Sequence, residues 1–451
     1  MRAGASHSLF ELNVMQENTI FIKSLDMDAR GVGHLENEDG SQGKVVFVEG
    51  ALPGETVRFT TFKKKKNWEM ARMDELLRES PMRVTPKCPH FDMCGGCSMQ
   101  HLEPTAQVAI KQRVLEDNLQ HIGKVRPLTV MRPMYGPTWG YRYRARLSVR
   151  HVAKKNTVLV GFKEKRSIFV ADIQSCQILP KHVSDLLLPL RALIGSLTLF
   201  DQVPQIEVAI GEGVTALVLR IMSPLGAGDD VKLKAFADQH QVQFWLQTKG
   251  PETAAPYYPL GPELYYLLPE FGIKMPFKPV DFTQVNHYIN RVLVAKALRL
   301  LEVQPEDRVA DLFCGLGNFT LPIARRVAEV VGVEGEHGLV ERAAQNAARN
   351  RIDNARFHVA NLFEDQRAAD WARQPWDKML LDPPRAGADK VLEYLPHKQT
   401  RRIVYVSCHP ASLARDAGIL VNQHGFTLKS AGVMDMFPHT AHVESIALFE
   451  R

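Results

Sequence analysis

The chain has 451 residues, of which 45% are hydrophobic and 24% are charged, and its formal net charge is +6. This composition is ordinary for a globular protein, and the length predicts about three domains. The most apolar stretch, residues 186–200, is shorter than the ~20 residues that cross a bilayer and contains Arg191, so we predict no membrane segment. The sequence shows no cationic start followed by an apolar core, so it does not indicate a secretory signal. We therefore expect a cytoplasmic protein.

Residues 12–78 contain short apolar alternations separated by glycine-containing turns, a pattern typical of a small β-barrel. Within this segment the run 63–66 consists of four lysines and lies between Phe62 and Trp68, so positive charge stands beside aromatic faces. The arrangement suits a polyanionic partner, and the net positive charge of the chain weakly favours one too. A solvated hairpin loop explains the lysines equally well.

Four of the six cysteines need an explanation, because six in 451 residues form no disulfide framework and a cytosolic protein keeps them reduced. Cys88, Cys94 and Cys97 crowd one loop, and Cys176 follows 79 positions after the third. Thiolates bind both zinc and iron–sulfur clusters. Structural zinc sites usually pair two short cysteine knuckles, so this spacing modestly favours a cluster. The Cys-x3-Cys-x2-Cys pattern of radical enzymes is absent from the sequence, and we therefore predict a structural role.

Residues 103–123 carry apolar side chains near helical spacing and are predicted to form a helix. From Trp139 to about Gly272 the pattern returns to strand-like alternation, most clearly in residues 141–150. A period of two places four arginines on one face of that strand, namely Arg142, Arg144, Arg146 and Arg150. Such a face suits a run of phosphates, although a solvated sheet surface also carries arginines.

From Met275 onward, helices alternate with apolar strands, which is the signature of a doubly wound α/β domain. The motif Asp311-x-x-x-Gly315-x-Gly317 closes one strand and opens a helix, and a second strand ends in Glu334. Glycines let a ligand approach the backbone, and an acid at the end of the second strand accepts hydrogen bonds from ribose hydroxyls. These two features alone also fit an NAD site.

A third landmark, Asp382-Pro383-Pro384 at the end of a later strand, favours S-adenosylmethionine (SAM), because methyltransferases place a substrate-side loop there. An aromatic residue after the prolines is typical of amino-group methyltransferases, but Arg385 occupies that position. A guanidinium suits a phosphate or carbonyl contact, so methylation of an amino group becomes the weaker alternative. Cys314, inside the glycine turn, is expected to pack rather than to react.

Cys408 follows an apolar run, residues 402–406, that is predicted to form a buried strand. A lone cysteine at an apolar position is more often structural than catalytic. Beside the SAM motifs, however, a thiol at a strand end predicts covalent attack on a base, since uracil C5 becomes nucleophilic only after a thiolate has added at C6. The ordinary pKa of a cysteine is ~8.5, so the site must supply thiolate character. Residues 434–436 have no role that the sequence assigns.

Together with the closing residues 442–445, these motifs resemble the RNA uridine C5-methyltransferases over nearly the whole chain, from about residue 12. Within that family, the resemblance is to the branch that acts on uridine 1939 of 23S ribosomal RNA. The transfer RNA branch usually lacks both barrel and cluster, and another 23S branch lacks the barrel, so residues 12–78 favour this branch. The resemblance implies SAM-dependent formation of 5-methyluridine through a covalent cysteine–C6 adduct.

The family's organisation implies a multi-domain fold of the α/β and β classes. An N-terminal OB-like TRAM β-barrel, residues 12–78, would bind RNA. A central α+β domain, residues 79–99 and 139–272, would hold a [4Fe–4S] cluster. A doubly wound SAM-dependent methyltransferase domain, residues 100–138 and 273–451, would carry out catalysis.

Residue by residue, the resemblance implies Cys408 as the nucleophile and Glu444 as the base that removes the C5 proton. The cluster ligands would be Cys88, Cys94, Cys97 and Cys176. The SAM contacts would be Gln284, Phe313, Asn318, Glu334, Asn361 and Asp382. The partner would be 23S ribosomal RNA, before or during subunit assembly, and the protein would be a monomer. The alternatives are the same chemistry at another 23S or transfer RNA uridine, or a non-catalytic RNA-binding assembly factor.

Overall fold

The computed structural model describes residues 18–37, 39–394 and 399–451. The chain divides into two compact units, residues 1–84 and residues 85–451. Residues 12–17, with which the predicted barrel begins, lie outside the described residues. In the part of the chain that the structure describes, no helix is long and apolar enough to cross a membrane.

The first unit is a six-stranded sheet formed by the apolar alternations of the sequence. Its strands are β1 (Thr19–Phe21), β2 (Ser24–Leu25), β3 (Gly31–Glu36), β4 (Gln42–Glu49), β5 (Thr56–Lys64) and β6 (Trp68–Arg78). They are ordered β1-β5-β6-β4-β3-β2, and of these pairs only β4 and β6 run parallel. Alternate residues such as Val46 and Val48 face a small apolar core, because successive side chains of a strand point to opposite faces.

A buried carboxylate ties the end of this unit to its own sheet. Glu55 is fully buried, and its side chain accepts hydrogen bonds from the backbone amides of Leu52 and Ser80. The Arg83 guanidinium Nε donates to the same carboxylate at 2.6 Å. Since a buried charge is stable only with such partners, residues 80–83 pack as part of the first unit.

Residues 85–276 begin the second unit with a helix, an edge strand, a six-stranded sheet and a hairpin. The elements are α1 (Pro104–Asn118), β7 (Thr129–Val130), β8 (Arg144–Val152), β9 (Thr157–Gly161), α2 (Lys181–Ser184), α3 (Leu187–Ser196), β10 (Gln205–Gly211), β11 (Val214–Arg220), α4 (Ala227–His240), β12 (Gln243–Gln247), β13 (Ala255–Tyr258), β14 (Tyr265–Leu268) and β15 (Ile273–Pro276). The sheet is ordered β13-β12-β11-β10-β8-β9, and β14 pairs with β15. Helices α3 and α4 bury Leu190 and Leu233 in the same apolar core as this sheet.

The predicted helix over residues 103–123 is observed as α1 followed by one π-helical turn at Leu119–Gly123. The Glu103 carboxylate caps it by accepting from the backbone amide of Ala106 at 3.0 Å. Gly123 is needed at the end of the turn, because a Cβ there would lie 2.3 Å from the carbonyl oxygen of Ala414. The absence of a side chain therefore allows this turn to approach the C-terminal part of the chain closely.

The rest of the second unit is a doubly wound sheet, as the sequence predicts. Its further elements are α5 (His287–Leu301), β16 (Arg308–Leu312), α6 (Thr320–Ala324), β17 (Glu329–Glu334), α7 (His337–Arg349), β18 (Ala355–Val359), α8 (Asp370–Arg373), β19 (Lys378–Leu381), α9 (Asp389–Tyr394), β20 (Arg402–Ser407), α10 (Pro410–Asn422), β21 (Thr427–Met434) and β22 (Glu444–Glu450). The strand order is β18-β17-β16-β19-β20-β22-β21-β7. The first five strands are mutually parallel, and β22 runs antiparallel to both of its neighbours.

Strand β20 shows why this sheet lies at the centre of the unit. Residues 403–406 of β20 are fully buried, and they alternate between two apolar cores, one on each face of the sheet. A strand covered on both faces reads in sequence as a continuous apolar run, as this one does. Residues 100–138 add α1 and β7 to this part of the molecule, since β7 pairs with β21. The division of residues 85–451 into a central and a catalytic domain stays a prediction.

Candidate active site

The functional side chains meet at one edge of the eight-stranded sheet. Strands β16, β17, β19 and β20 are parallel, so their carboxyl ends share an edge. Because β22 is antiparallel to β20, its first residue, Glu444, lies at that same edge. Strand β16 pairs with both β17 and β19, so the strand order reverses there. Ligands of doubly wound sheets bind in the crevice outside such a reversal point.

A cavity of about 440 Å³ opens at this edge. All eight residues that the sequence predicts for catalysis and cofactor binding line it: Gln284, Phe313, Asn318, Glu334, Asn361, Asp382, Cys408 and Glu444. These eight residues are spread over a stretch of 161 positions, from residue 284 to residue 444, and the fold brings them together. The volume lies within the range of small-molecule sites.

Cys408 and Glu444 lie at the same end of two paired strands. The ladder between β20 and β22 ends with Ser407 opposite Ser445, and Cys408 follows Ser407 while Glu444 precedes Ser445. Burial raises the pKa of the Cys408 thiol to about 11, and the charges of Glu444 and Asp382 act in the same direction, whereas Arg385 lowers it. A thiol and a carboxyl therefore face one space, and positive charge in that space favours the thiolate.

Glu444 itself is an unusual carboxyl. It is buried at the start of β22, and this burial, followed by the charge of Asp382, raises its pKa to about 8. The cations Arg385 and Lys111 act in the opposite direction. A carboxyl that titrates near neutral pH can accept a proton effectively from a carbon acid.

Backbone amides shape the turn between β16 and α6. Glu334 accepts from the backbone amide of Gly315 at 3.1 Å and from that of Gly335 at 2.7 Å. Phe313 adopts φ of +64°, a conformation that is uncommon for a residue with a side chain, and its ring lies 5.8 Å from that of Phe363. Glu334, Phe313 and Phe363, which lie at or after the ends of three neighbouring strands, thus present an acid and two aromatic rings to the cavity. Cys314 is buried in the turn after β16, as predicted.

Two residues that hold Asn318 could not be singled out from the sequence. The Asn318 side-chain oxygen accepts from the Tyr266 hydroxyl at 2.9 Å and from the Asn290 amide at 3.0 Å. Asn318 Nδ2 donates in return to Asn290 Oδ1 at 2.9 Å. Tyr266 also lines the cavity, but it lies in a hairpin upstream of all the predicted cofactor and catalytic residues, where no sequence signal marks it.

The four predicted cluster ligands also lie together. Cys88, Cys94, Cys97 and Cys176 all line one small cavity in the second unit. Their loop is held in place by the backbone amide of Cys88, which donates to Gln100 Oε1 at 3.1 Å. Within the described ranges, no three Cys, His, Asp or Glu side chains form a group that could hold a single metal ion.

The predicted arginine face is only partly open to solvent. Arg146 and Arg150 are exposed on β8, as the alternation predicts. Arg144 is not available in this way, because its guanidinium donates to the backbone carbonyls of Pro279 and Asp281. A phosphate-binding role for Arg144 therefore does not fit the structure. A buried backbone carbonyl needs a hydrogen-bond donor, and Arg144 supplies one to each of these two carbonyls.

Known proteins with related sequences identify the family. The family model of the tRNA (Uracil-5-)-methyltransferases matches residues 272–451. A 23S rRNA (uracil(1939)-C(5))-methyltransferase from Cupriavidus pinatubonensis is 60% identical over 440 residues, which cover 96% of this chain and 95% of that protein. The corresponding protein from Burkholderia pseudomallei is 59% identical over 438 residues, covering 95% of this chain and 94% of its own. The chain belongs to the 23S rRNA (uracil(1939)-C(5))-methyltransferase family.

A solved structure shows the same fold. The tRNA (uracil-54, C5)-methyltransferase of Pyrococcus abyssi, in complex with S-adenosyl-L-homocysteine, matches with a TM-score of 0.72. The match covers 96% of this chain and 100% of that chain at 22% sequence identity. Membership of this methyltransferase family makes the chain a SAM-dependent enzyme.

The charge of SAM leads to a pH-dependence prediction. Burial, followed by the charge of Glu334, raises the pKa of Asp382 to about 7. Asp382 is one of the residues that we predict to hold SAM, and an ionised carboxylate favours the sulfonium cation of SAM. We therefore expect SAM binding to displace a proton from Asp382 below pH 7. We expect the Kd for SAM to rise by up to about tenfold for each pH unit below 7 and to level off above 8.

Isothermal titration calorimetry with SAM and with S-adenosylhomocysteine measures this linkage. The second ligand lacks the positive charge at sulfur and serves as the control, so its affinity should change little with pH. Asp382→Asn should flatten the SAM profile. A SAM affinity that is independent of pH between 6 and 8 contradicts the prediction.

Proposed function

We propose that this protein methylates C5 of uridine 1939 in 23S ribosomal RNA by covalent catalysis, with Cys408 as nucleophile and Glu444 as base. The observation that carries the proposal is that Cys408 and the buried Glu444, at adjoining ends of the paired strands β20 and β22, line one cavity. Relatives about 60% identical over nearly the full length are 23S rRNA (uracil(1939)-C(5))-methyltransferases, which supports the choice of RNA and nucleotide.

The chemistry follows from the properties of these two side chains. SAM, when bound, supplies an electrophilic methyl group. The Cys408 sulfur adds to C6 of uracil, which moves electron density to C5 and makes this carbon nucleophilic. After C5 has gained the methyl group, Glu444 removes the remaining C5 proton, the C5–C6 double bond forms again, and Cys408 leaves as a thiolate. The target base must be unstacked to enter the cavity, which costs a few kcal/mol.

Arg385 is suited to stabilise the charge that develops during this sequence. It lines the cavity, and its positive charge favours the ionised forms of both Cys408 and Glu444. A guanidinium directed at a uracil carbonyl or a neighbouring phosphate would stabilise negative charge without giving up a proton. Gln284, Phe313, Asn318, Glu334, Asn361 and Asp382 are proposed to hold SAM.

Two RNA substrates distinguish this proposal from its alternatives. Purified protein is incubated with methyl-labelled SAM and either unmodified 23S ribosomal RNA or unmodified transfer RNA, and labelled 5-methyluridine is mapped by mass spectrometry. We expect label in the 23S RNA at position 1939 alone. Label in the transfer RNA would support the activity of the Pyrococcus relative instead. No label in either RNA would leave a non-catalytic assembly factor as the better account.

The four cysteines are proposed to hold a [4Fe–4S] cluster. Burial raises the pKa of Cys97 to about 12, and mutual repulsion with Cys176, Cys94 and Cys88 acts in the same direction. Four thiolates so close together require a strongly positive centre. Four thiols around one cavity supply the set of ligands that such a cluster uses.

Metal analysis tests this assignment. Protein purified without oxygen should be brown and contain about four irons per chain. Replacing Cys94 by Ser should lower the iron content, whereas Cys314→Ser in the buried cofactor turn should leave it unchanged. One zinc per chain and no iron would contradict the proposal.

The first unit is proposed to be the TRAM barrel that binds RNA through phosphates. The lysines at the end of the β5–β6 hairpin support this role, because Lys64 is 71% exposed and the Lys63 ammonium lies 5.6 Å from the Trp68 ring. Arg146 and Arg150 would extend the phosphate contacts in the second unit. A cytoplasmic location, a monomeric state and binding before or during subunit assembly remain predictions.

Salt dependence tests the lysine contacts. Replacing Lys63, Lys64, Lys65 and Lys66 together by Gln should weaken binding to 23S RNA and reduce the slope of log K against log salt, by about 0.7–0.9 for each phosphate that the lysines no longer neutralise. The same type of substitution on exposed lysines of the second unit, such as Lys154 and Lys155, provides a charge control. An unchanged slope would mean that the run is only a solvated loop.

A further inference from the structure

The loop that precedes Glu444 is held by a buried ion pair that the mechanism above does not use. Met434, the last residue of β21, pairs with Glu444, the proposed general base. Asp435 directly follows Met434 in the chain and therefore lies close to that pair. Asp435 and Lys111 are each 2% exposed, and the Lys111 ammonium donates to Asp435 Oδ1 at 2.6 Å. The same ammonium donates to the backbone carbonyl of Phe437 at 2.9 Å.

Side chains on two consecutive helical turns of α1 form hydrogen bonds with this loop. One turn before Lys111, Gln107 accepts from the backbone amide of His439 at 2.8 Å. Residues four apart lie on the same helix face, so both side chains point at the loop. The loop is thus fixed at residues 435, 437 and 439, immediately before it delivers Glu444 to the cavity.

The ion pair is not needed for packing alone. Lys111 lies between Val108 and Leu115 on the buried face of α1, a position that apolar residues usually occupy. Buried ion pairs are often no more stabilising than apolar side chains of similar volume, because both charges must leave water. A lysine and an aspartate at these positions therefore call for a role in addition to stability.

Four charged or titratable groups act on Glu444 from the elements around it. Asp382 and Arg385 follow β19, Cys408 follows β20, and Lys111 lies on α1. Of the two cations in this set, Arg385 faces the cavity, whereas Lys111 is buried behind the loop. The charge of Lys111 is also felt by His439, whose pKa burial lowers to about 4, so His439 stays neutral near pH 7.

We propose that Lys111 is a positioning residue for the removal of the C5 proton, an inference that rests on the role proposed for Glu444. Anchored by Asp435 and Phe437, it fixes the junction between β21 and the loop, and its ammonium favours the carboxylate form of Glu444. Burial lowers the pKa of Lys111, and the charge and hydrogen bond of Asp435 oppose this effect, so the ion pair helps to keep the ammonium charged. Loss of this charge slows the release of Cys408 from the methylated adduct and leaves SAM binding unaffected.

The test isolates the adduct-breakdown step. The covalent protein–RNA adduct is formed in a single turnover, and its decay is followed by denaturing gel from pH 6 to 9. Lys111→Met alone leaves Asp435 unpaired, so the acidic limb should move up by about one pH unit. In Lys111→Met/Asp435→Leu no unpaired buried charge remains and the two charge changes largely offset, so we expect decay about tenfold slower across the pH range, because the loop has lost its anchor, with little shift of the acidic limb. Arg113→Met is the matched control, because Arg113 is an exposed residue of α1 paired with Asp117. Its profile should match that of the wild type.

Asp435→Asn gives a prediction of opposite sign. It keeps the lysine but removes the charge that compensates it, so the acidic limb should move to lower pH. An acidic limb that stays in place or moves to higher pH in Asp435→Asn overturns the proposal, even if the double variant does not fold. A double-variant profile that overlays the wild type overturns it as well. If the wild type forms no adduct with 23S RNA at all, the proposed function fails, and not only this inference.

Discussion

Replacing Cys408 by Ala abolishes methyl transfer to 23S RNA, with an expected loss of more than about 10⁴-fold in kcat. Without the sulfur, no group at the end of β20 can add to C6, and uracil C5 is too weak a nucleophile to react unaided. SAM binding should persist, because the residues that we propose to hold SAM stand at the ends of other strands, such as β16, β17 and β19, and Cys408 is not among them. Single-turnover methyl transfer and calorimetry with SAM measure the two properties separately.

Cys314→Ala is the matched control for this variant. Cys314 is buried in the turn after β16, where its thiol packs and takes no part in the proposed chemistry. Activity within a few-fold of the wild type is expected for this control. Undiminished methylation by Cys408→Ala would show that the nucleophile lies elsewhere.

Glu444→Gln is expected to stop the reaction one step later. The variant retains the nucleophile and the cavity, so Cys408 should add to uracil and the methyl group should be transferred. Without a base, the C5 proton stays in place, and turnover should fall about 10²–10⁴-fold. The protein–RNA adduct then accumulates and survives a denaturing gel.

The double variant Cys408→Ala/Glu444→Gln is the control for this trap, since it should give no adduct. An exposed carboxylate outside the cavity, such as Glu341 on α7, should tolerate the same Gln substitution without effect. Normal turnover by Glu444→Gln would mean that another group removes the proton.

The parts of this protein that the sequence predicts best are those in which one short motif determines both fold and chemistry. Cys408 could be found because a buried parallel strand reads as an apolar run and the thiol stands directly after it. Glu334 and Asp382 could be found for the same reason at the ends of their strands. In the structure these strands are neighbours and their ends share one edge, so the motifs meet in one cavity.

Residues that act through tertiary contacts could not be predicted from short sequence motifs. Tyr266 and Asn290 hold Asn318 only because a hairpin and a helix pack beside the cofactor turn. Alternation placed Arg144 on the correct strand face, but only the fold shows that carbonyls of another segment occupy its guanidinium. Lys111 did leave a signal, since a lysine three residues after Val108 and four before Leu115 interrupts an apolar helix face.

The measurement that tests the central claim most directly is mass spectrometry of the trapped adduct. Glu444→Gln is incubated with SAM and unmodified 23S RNA, the complex is digested with nuclease and protease, and the cross-linked peptide is sequenced. We predict that the peptide containing Cys408 carries one 5-methylated uridine nucleotide, derived from position 1939. Methyl transfer without modification of Cys408, or a cross-link to a different residue, would contradict the account.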